Sequence, residues 1–177
     1  MIFHPTKFKE VFEIEPELVP DARGYFYRNF AAEELRKTGI DSPVVHINRG
    51  YNKAKGTIRG FHYQTAPKAE DKILQAFSGA FYDIVIDLRR DSATFKQWQG
   101  FELSAERRNM LIVPKGYAHG IQTLTDDCEV QYFITEYYSP EHERGIRYND
   151  PQFNFVWPLG EPTVLSHKDA SWPDFVG

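Results

Sequence analysis

The segment TIRGFHYQ, residues 57–64, sets a guanidinium and an imidazole three residues apart in an otherwise strand-forming run. Arg59 can hold an anion, and the imidazole of His62 can move a proton near neutral pH. Residues three apart on a regular strand face opposite sides. The two can serve one site only if the strand bends or bulges between them, which Gly60 permits; otherwise Arg59 is solvated and His62 is simply hydrogen-bonded. Lys72 follows the turn-like TAPKAED and opens the apolar run ILQAF, a strand entrance where a lysine ordinarily meets water. His119, in PKGYAHGI, has small neighbours that let a ligand approach the backbone, although a surface turn is an equal reading. Tyr132, in EVQYFITEYY, shares a strand face with Val130, Ile134 and Glu136, where a tyrosine usually packs and a neighbour satisfies its hydroxyl. Asp169, in LSHKDASWP, reads as a tail carboxylate or helix cap and gains meaning only if it meets a histidine. His62, His119 and a carboxylate could ligate a divalent ion. There is no close His-x-His pair, however, and no glutamate soon after His62, so the expectation is a site without metal or cofactor.

The elements that must position these residues are mostly strands. GAFYDIVIDLR (79–89) alternates, with Tyr82, Ile84, Ile86 and Leu88 on one face and Phe81, Asp83, Val85 and Asp87 on the other. MLIVP (110–114) reads as a short buried strand ended by Pro114. GIQTLT (120–125) and CEVQYFITEYY (128–138) flank Asp126–Asp127, a hairpin-like turn. EVFEIEPELV (10–19) reads as one or two edge strands broken at Pro16. The one convincing helix is AAEELRKTG (31–39), capped by Gly39. From residue 150 onward the prolines predict an irregular tail packed on the body. Many short antiparallel strands with one or two short helices predict an all-β jelly-roll sandwich or barrel. Exposed edges need covers, so the N-terminal strands are expected to pair with a second chain.

The 177 residues suit a single domain, 1–177, able to bury a core without staples. The single cysteine, Cys128, has no intramolecular disulfide partner and suits a reducing compartment, hence a cytoplasmic location. The first residues show no apolar leader, and no apolar run reaches membrane-spanning length. A net charge of −4 argues against a general nucleic-acid binder, so any anion must be held by a local cationic cluster.

Taken together, RGYFYRNF, TIRGFHYQ, DKILQAFSGAFYDIVIDLRRDSATF, ELSAERRNMLIVPKGYAHG, YNDPQF with VWP, and LSHKD resemble, in order and over about residues 10–170, the dTDP-4-dehydrorhamnose 3,5-epimerases. The resemblance implies a cupin-type jelly roll, a homodimer, no metal, and a nucleotide-linked 4-keto-6-deoxyhexose as substrate. It implies His62 as base, Asp169 as the carboxylate orienting it, Lys72 as stabiliser of the enolate, and Tyr132 as acid on the far face. It places Arg59 and His119 near diphosphate and sugar, and Arg23, Arg28 and Asn48 on the nucleotide side. The sequence departs from the family pattern at Arg28, where a glutamate is usual, at His46 for glutamine and at Gln75 for arginine. An arginine only donates hydrogen bonds where a carboxylate only accepts them. The nucleobase therefore stays open between thymine and cytosine. Also open are a C3-only epimerase, a 3,4-ketoisomerase, and a non-catalytic cupin that binds a sugar nucleotide.

Overall fold

The computed structural model describes residues 1–176. Four strands, β1 (Ile2–Pro5), β2 (Phe12–Glu15), β3 (Val19–Asp21) and β4 (Gly24–Phe26), precede the short helix α1 (Ala32–Leu35), which runs on as a 3₁₀ turn at Arg36–Thr38. The body follows as β5 (His46–Asn52), β6 (Thr57–Gln64), β7 (Lys72–Ser78), β8 (Ala80–Asp87), β9 (Trp98–Ser104), β10 (Met110–Val113), β11 (Tyr117–Thr123) and β12 (Cys128–Ile134). The chain closes with β13 (Glu143–Gly145), β14 (Val164–Leu165) and α2 (His167–Ala170). One sheet has the order β1-β2-β10-β7-β12-β5, the other β13-β6-β11-β8-β9 with β14 attached to β6, and β3 and β4 form a separate ribbon. The fold is the jelly-roll sandwich that the strand pattern predicts.

The alternation in β8 explains the layering. Phe81 and Val85 point between the sheets, where they meet Leu74, Leu111 and Val130. Ile84 and Ile86 point the other way, and the tail covers them with Phe153 and Trp157. The second sheet is thus apolar on both faces, which is why a proline-rich tail lies over it. On the outer face of the first sheet, Ile14, Ile73 and Phe133 pack beneath Leu35 and Ile40. Gly39 ends the helical segment at φ 93°, the left-handed cap its position predicts.

Three local expectations change. Asp126–Asp127 does not close a hairpin: β11 belongs to one sheet and β12 to the other, so the turn is a corner between layers. β2 lies between β1 and β10 and is not an edge, because residues 2–5 pair outside it. The tail is not wholly irregular. Val164 and Leu165 pair in parallel with Thr57 and Ile58 of β6, and Ser166 caps α2 by accepting the Asp169 N–H at 3.0 Å.

One buried carboxylate outside the cavity described below stiffens the β8 end. Burial would push the Asp87 carboxyl up, but bonds from Arg89 (2.9 and 2.8 Å) and from the Ser92 and Thr94 hydroxyls (both 2.6 Å) hold it down, to about 2. A carboxylate with a lowered folded-state pKa contributes stability that is present above its unfolded pKa and lost as pH falls through the folded value. Asp87→Asn should therefore cost about 2 kcal/mol in urea unfolding at neutral pH, and the gap should close as pH falls from about 4 towards 2. A gap that stays constant over that range would assign the loss to shape rather than charge.

Candidate active site

Gly60 answers the question of how Arg59 and His62 share a face. Along β6 the pairing with β11 runs Arg59↔Ile121 and Gly60↔Gly120, then jumps to His62↔His119, leaving Phe61 as an extra residue. The bulge restores the phase. Ile58 and Phe61 both join the apolar cluster under the tail, while Arg59 and His62 both line a cavity of about 270 Å³ between the sheets. Gly60 has φ +115°, and a Cβ there would lie 2.7 Å from Gly120 Cα and 2.8 Å from the His119 carbonyl oxygen. Only glycine fits such a conformation so close to a neighbouring backbone.

Asn48, Arg49, Gly50, Arg59, His62, Lys72, His119, Ile121 and Tyr132 line the cavity. Six of the nine residues singled out from the sequence thus come together from five strands. His62 Nε2 lies 2.6 Å from Asp169 Oδ1, a contact delivered by the β14–α2 segment across 107 residues of sequence. Burial alone would raise the Asp169 carboxyl, but the bond to His62, the His62 charge and the Gly60 N–H (3.4 Å) hold it below the usual range. Lys72 is buried rather than solvated. Its Nζ lies 2.9 Å from Glu70 Oε1 and donates to the His62 carbonyl at 3.4 Å. Tyr132 leans over Gly50 of β5, and burial, opposed by the Arg59 charge, pushes its phenol well up, so it stays a neutral donor. Arg59 is braced by Asn52 Oδ1 at 2.5 Å and the Tyr51 carbonyl at 3.2 Å.

Arg23 and Arg28 lie elsewhere in the single chain. Arg23, on the β3–β4 ribbon, pairs with Asp21 at 2.6 Å, and Arg28 comes within 3.7 Å of Glu34. A second cavity of about 210 Å³ shares Asn48, His62 and Lys72 and adds His46, Glu70, Tyr138 and Glu143. Glu143 accepts bonds from Tyr138 (2.9 Å) and Lys168 (2.6 Å). Glu70, Glu143 and Asp83, which meets His119, were not singled out from the sequence. Asp83 could have been: a carboxylate between Phe81 and Val85, in a strand apolar on both faces, must find a partner. Among the described residues, no group of three or more His, Cys, Asp or Glu side chains has metal-binding geometry.

Comparison with known proteins completes the picture. Residues 5–176 match the family model described as dTDP-4-dehydrorhamnose 3,5-epimerase. The chain belongs to this family. By that membership it is an isomerase of the epimerase class. It is 39% identical over 173 residues to the dTDP-4-dehydrorhamnose 3,5-epimerase of Sinorhizobium fredii, covering 98% of this chain and 89% of the relative. It is 36% identical to the enzyme of the same name from Methanothermobacter thermautotrophicus, covering 96% and 92%. A Bacillus anthracis dTDP-4-dehydrorhamnose 3,5-epimerase crystal structure with TDP and pyrophosphate bound superimposes with a TM-score of 0.93 at 41% identity, covering 98% of this chain and 99% of the other. The dTDP-6-deoxy-D-glucose-3,5-epimerase of Legionella pneumophila, solved with dTDP-4-keto-L-rhamnose, gives 0.89 at 38%, covering 97% and 90%. Among the described residues, no helix is long and apolar enough to cross a membrane.

Because Gly60 sets the phase of β6, Gly60→Ala should disturb the site as well as the fold. The expected result is a melting temperature lower by several degrees, together with a larger fractional loss of activity at temperatures where the variant is fully folded. A variant that keeps full activity would show that Arg59 and His62 need no bulge.

Proposed function

We propose that this family member inverts the carbons flanking the ketone of a dTDP-linked 4-keto-6-deoxyhexose, C3 and C5, in deoxysugar biosynthesis. The observation that carries the reading is that His62 and Tyr132 stand on opposite walls of the cavity. His62 projects from β6 of one sheet and Tyr132 from β12 of the other, with the cavity between them. Inversion requires a proton to leave one face of a carbon and return to the other.

In this reading the imidazole of His62 donates Nε2–H to Asp169, leaving the Nδ1 lone pair free. Nδ1 takes the proton from C3 or C5, and the C–H electron pair moves into an enolate on O4. Asp169 stabilises the imidazolium, as a carboxylate does for a catalytic histidine elsewhere. The Lys72 ammonium meets the charge that develops on O4. Tyr132 O–H then protonates the carbon from the far face, and solvent restores the phenol while the imidazolium releases its proton. No step leaves a role vacant for a metal or other cofactor. Arg59, with its braced guanidinium, suits the diphosphate, and Asn48 suits the sugar–nucleotide junction.

Both carbons are favoured because relatives at 35–39% identity carry the 3,5-epimerase name. A Streptomyces relative named dTDP-4-dehydro-6-deoxyglucose 3-epimerase is 32% identical and keeps the C3-only reading as the alternative. The enzyme is proposed to be a cytoplasmic homodimer. Val19, Tyr25 and Phe26 of the β3–β4 ribbon are exposed, as are Ile47 and Tyr51 on the edge strand β5, an apolar surface that a second copy would cover. Such a ribbon could carry Arg23 and Arg28 to the nucleotide side of the partner's cavity. Thymidine is the preferred base, since the relatives at 35–39% identity carry dTDP-linked names.

Solvent deuterium exchange into the 4-keto sugar nucleotide, followed by NMR, tests the chemistry. Label should enter at both C3 and C5; entry at C3 alone selects the alternative, and entry at neither sinks the enzymatic reading. His62→Ala should lose about 10²–10⁴-fold in exchange while still binding dTDP. Tyr132→Phe should exchange the substrate hydrogen with retained configuration, and normal inversion would pass the acid's role to another group. Dialysis against a chelator should leave the rate unchanged. Arg23→Ala should weaken dTDP binding with little change in kcat and in light-scattering mass; unaltered affinity would remove Arg23 from the nucleotide site.

A further inference from the structure

The cavity holds a second carboxyl–imidazole pair. His119 lies directly across from His62 in the β6–β11 register, so the two rings project side by side from one sheet. His119 Nδ1 lies 2.9 Å from Asp83 Oδ2. The two pairs differ in their surroundings. The His62 side chain is 33% exposed, whereas those of His119 and Asp83 are 8% and 0% exposed. Asp83 Oδ1 is buried with no hydrogen-bond partner among the described residues. A bare, buried oxygen is costly on an ionised carboxylate and far cheaper on a neutral acid, whose charge need not be solvated. A neutral acid also has a donor hydrogen, and the group in reach of Oδ2 is His119 Nδ1. If Asp83 donates to Nδ1, the ring's own hydrogen must reside on Nε2. Among the described residues Nε2 meets no protein partner, and the ring lines the cavity with Lys72, His62 and Tyr132.

We propose that Asp83 is a neutral carboxylic acid that fixes His119 as the uncharged Nε2–H tautomer, and that this N–H is a second donor, beside Lys72, to the enolate oxygen. The role rests on the epimerase reading above. Asp83 is a positioning residue, and His119 a catalytic one. The groups facing the ring agree with the assignment. Burial pushes His119 well below the usual imidazole range, and the Lys72 and His62 charges add to this against the opposing effect of Glu70. Burial also pushes Asp83 well above the carboxylate range, against the opposing Lys72 charge. A neutral donor suits an enolate: it stabilises the developing charge without adding a third cation beside Lys72 and a His62 that becomes cationic during turnover. An uncharged buried ring does not supply the positive charge that a diphosphate site calls for, which moves His119 from the diphosphate to the reacting end of the sugar.

Nitrogen-15 NMR of histidine-labelled wild-type enzyme reads the tautomer without using activity. His119 should show a protonated Nε2 and a bare Nδ1, unchanged across the range in which a free imidazole titrates. A bare Nε2, or a ring that titrates there, overturns the proposal even if the enzyme epimerises. Kinetics test the role separately. His119→Ala should lower deuterium exchange by about 10²–10³-fold with dTDP affinity unchanged. Weakened dTDP binding with normal exchange would return His119 to the diphosphate. Asp83→Asn keeps a donor for Nδ1 and should retain activity within about tenfold, whereas Asp83→Leu, which keeps the bulk but has no donor, should fall as far as His119→Ala. An Asn variant that folds and is as impaired as the Leu variant would show that Asp83 acts through its charge. If the wild-type enzyme exchanges no 4-keto sugar at all, the epimerase reading fails with the enolate role, while the NMR result still decides the Asp83–His119 arrangement.

Discussion

The close approach of two glycine backbones, Gly60 on β6 and Gly120 on β11, is the constraint on which the site rests. A side chain at Gly60 would strike the facing backbone at 2.7 Å, and one at Gly120 would press on the Phe61 ring at 3.0 Å. Their absence lets one extra residue enter β6, which turns a two-residue alternation into a three-residue step between Arg59 and His62. The same step sends Phe61 outward, against Phe155 and Trp157 of the tail. A single backbone irregularity therefore places the cation and the imidazole in the cavity and anchors the segment that carries Asp169. Function and packing are coupled at this point, and neither side tolerates a regular strand.

The sandwich supplies what a single sheet cannot. Groups on one sheet approach a bound molecule from one side only, and a reaction that moves a proton through a carbon needs two. Here one sheet contributes both imidazoles, and the other contributes the buried ammonium and the phenol. Burial acts on the phenol. It keeps the Tyr132 phenol neutral, and Glu70 compensates the Lys72 ammonium at 2.9 Å. The carboxylate beside His62 is ionised because the ring and a backbone N–H favour its charge. Neighbouring ionisable groups thus hold different protonation states through their immediate partners, the usual way a site runs acid and base chemistry at one pH.

Much of this was legible in the residues. The alternation of β8, the buried run of β10, the capped helix and the need for a bend at Gly60 follow from local sterics and periodicity. The pairings of β2, β11 and β12 were not legible, because which sheet a strand joins is decided by contacts far along the chain. Asp169 was ambiguous for the same reason: its meaning lies in a histidine 107 residues away. Lys72 looked solvated by position, and only the packed structure reveals Glu70 beside it. Asp83 was visible as an oddity, a charged residue between Phe81 and Val85, but its histidine sits on a neighbouring strand. Arg23 and Arg28 carry a signal that a single chain does not resolve, since they lie on or just after a ribbon whose apolar side is open to solvent.

The parallel seam between β14 and β6 also imposes an order on biosynthesis. Every residue that lines the cavity is made before Asp169, and the strand to which the seam attaches is complete some hundred residues earlier in the chain. A nascent polypeptide can therefore line the hollow between the sheets while still lacking the carboxylate that meets His62. The late segment acts as a keystone set after the arch is standing, so in order of synthesis the hollow precedes the carboxylate that meets its histidine.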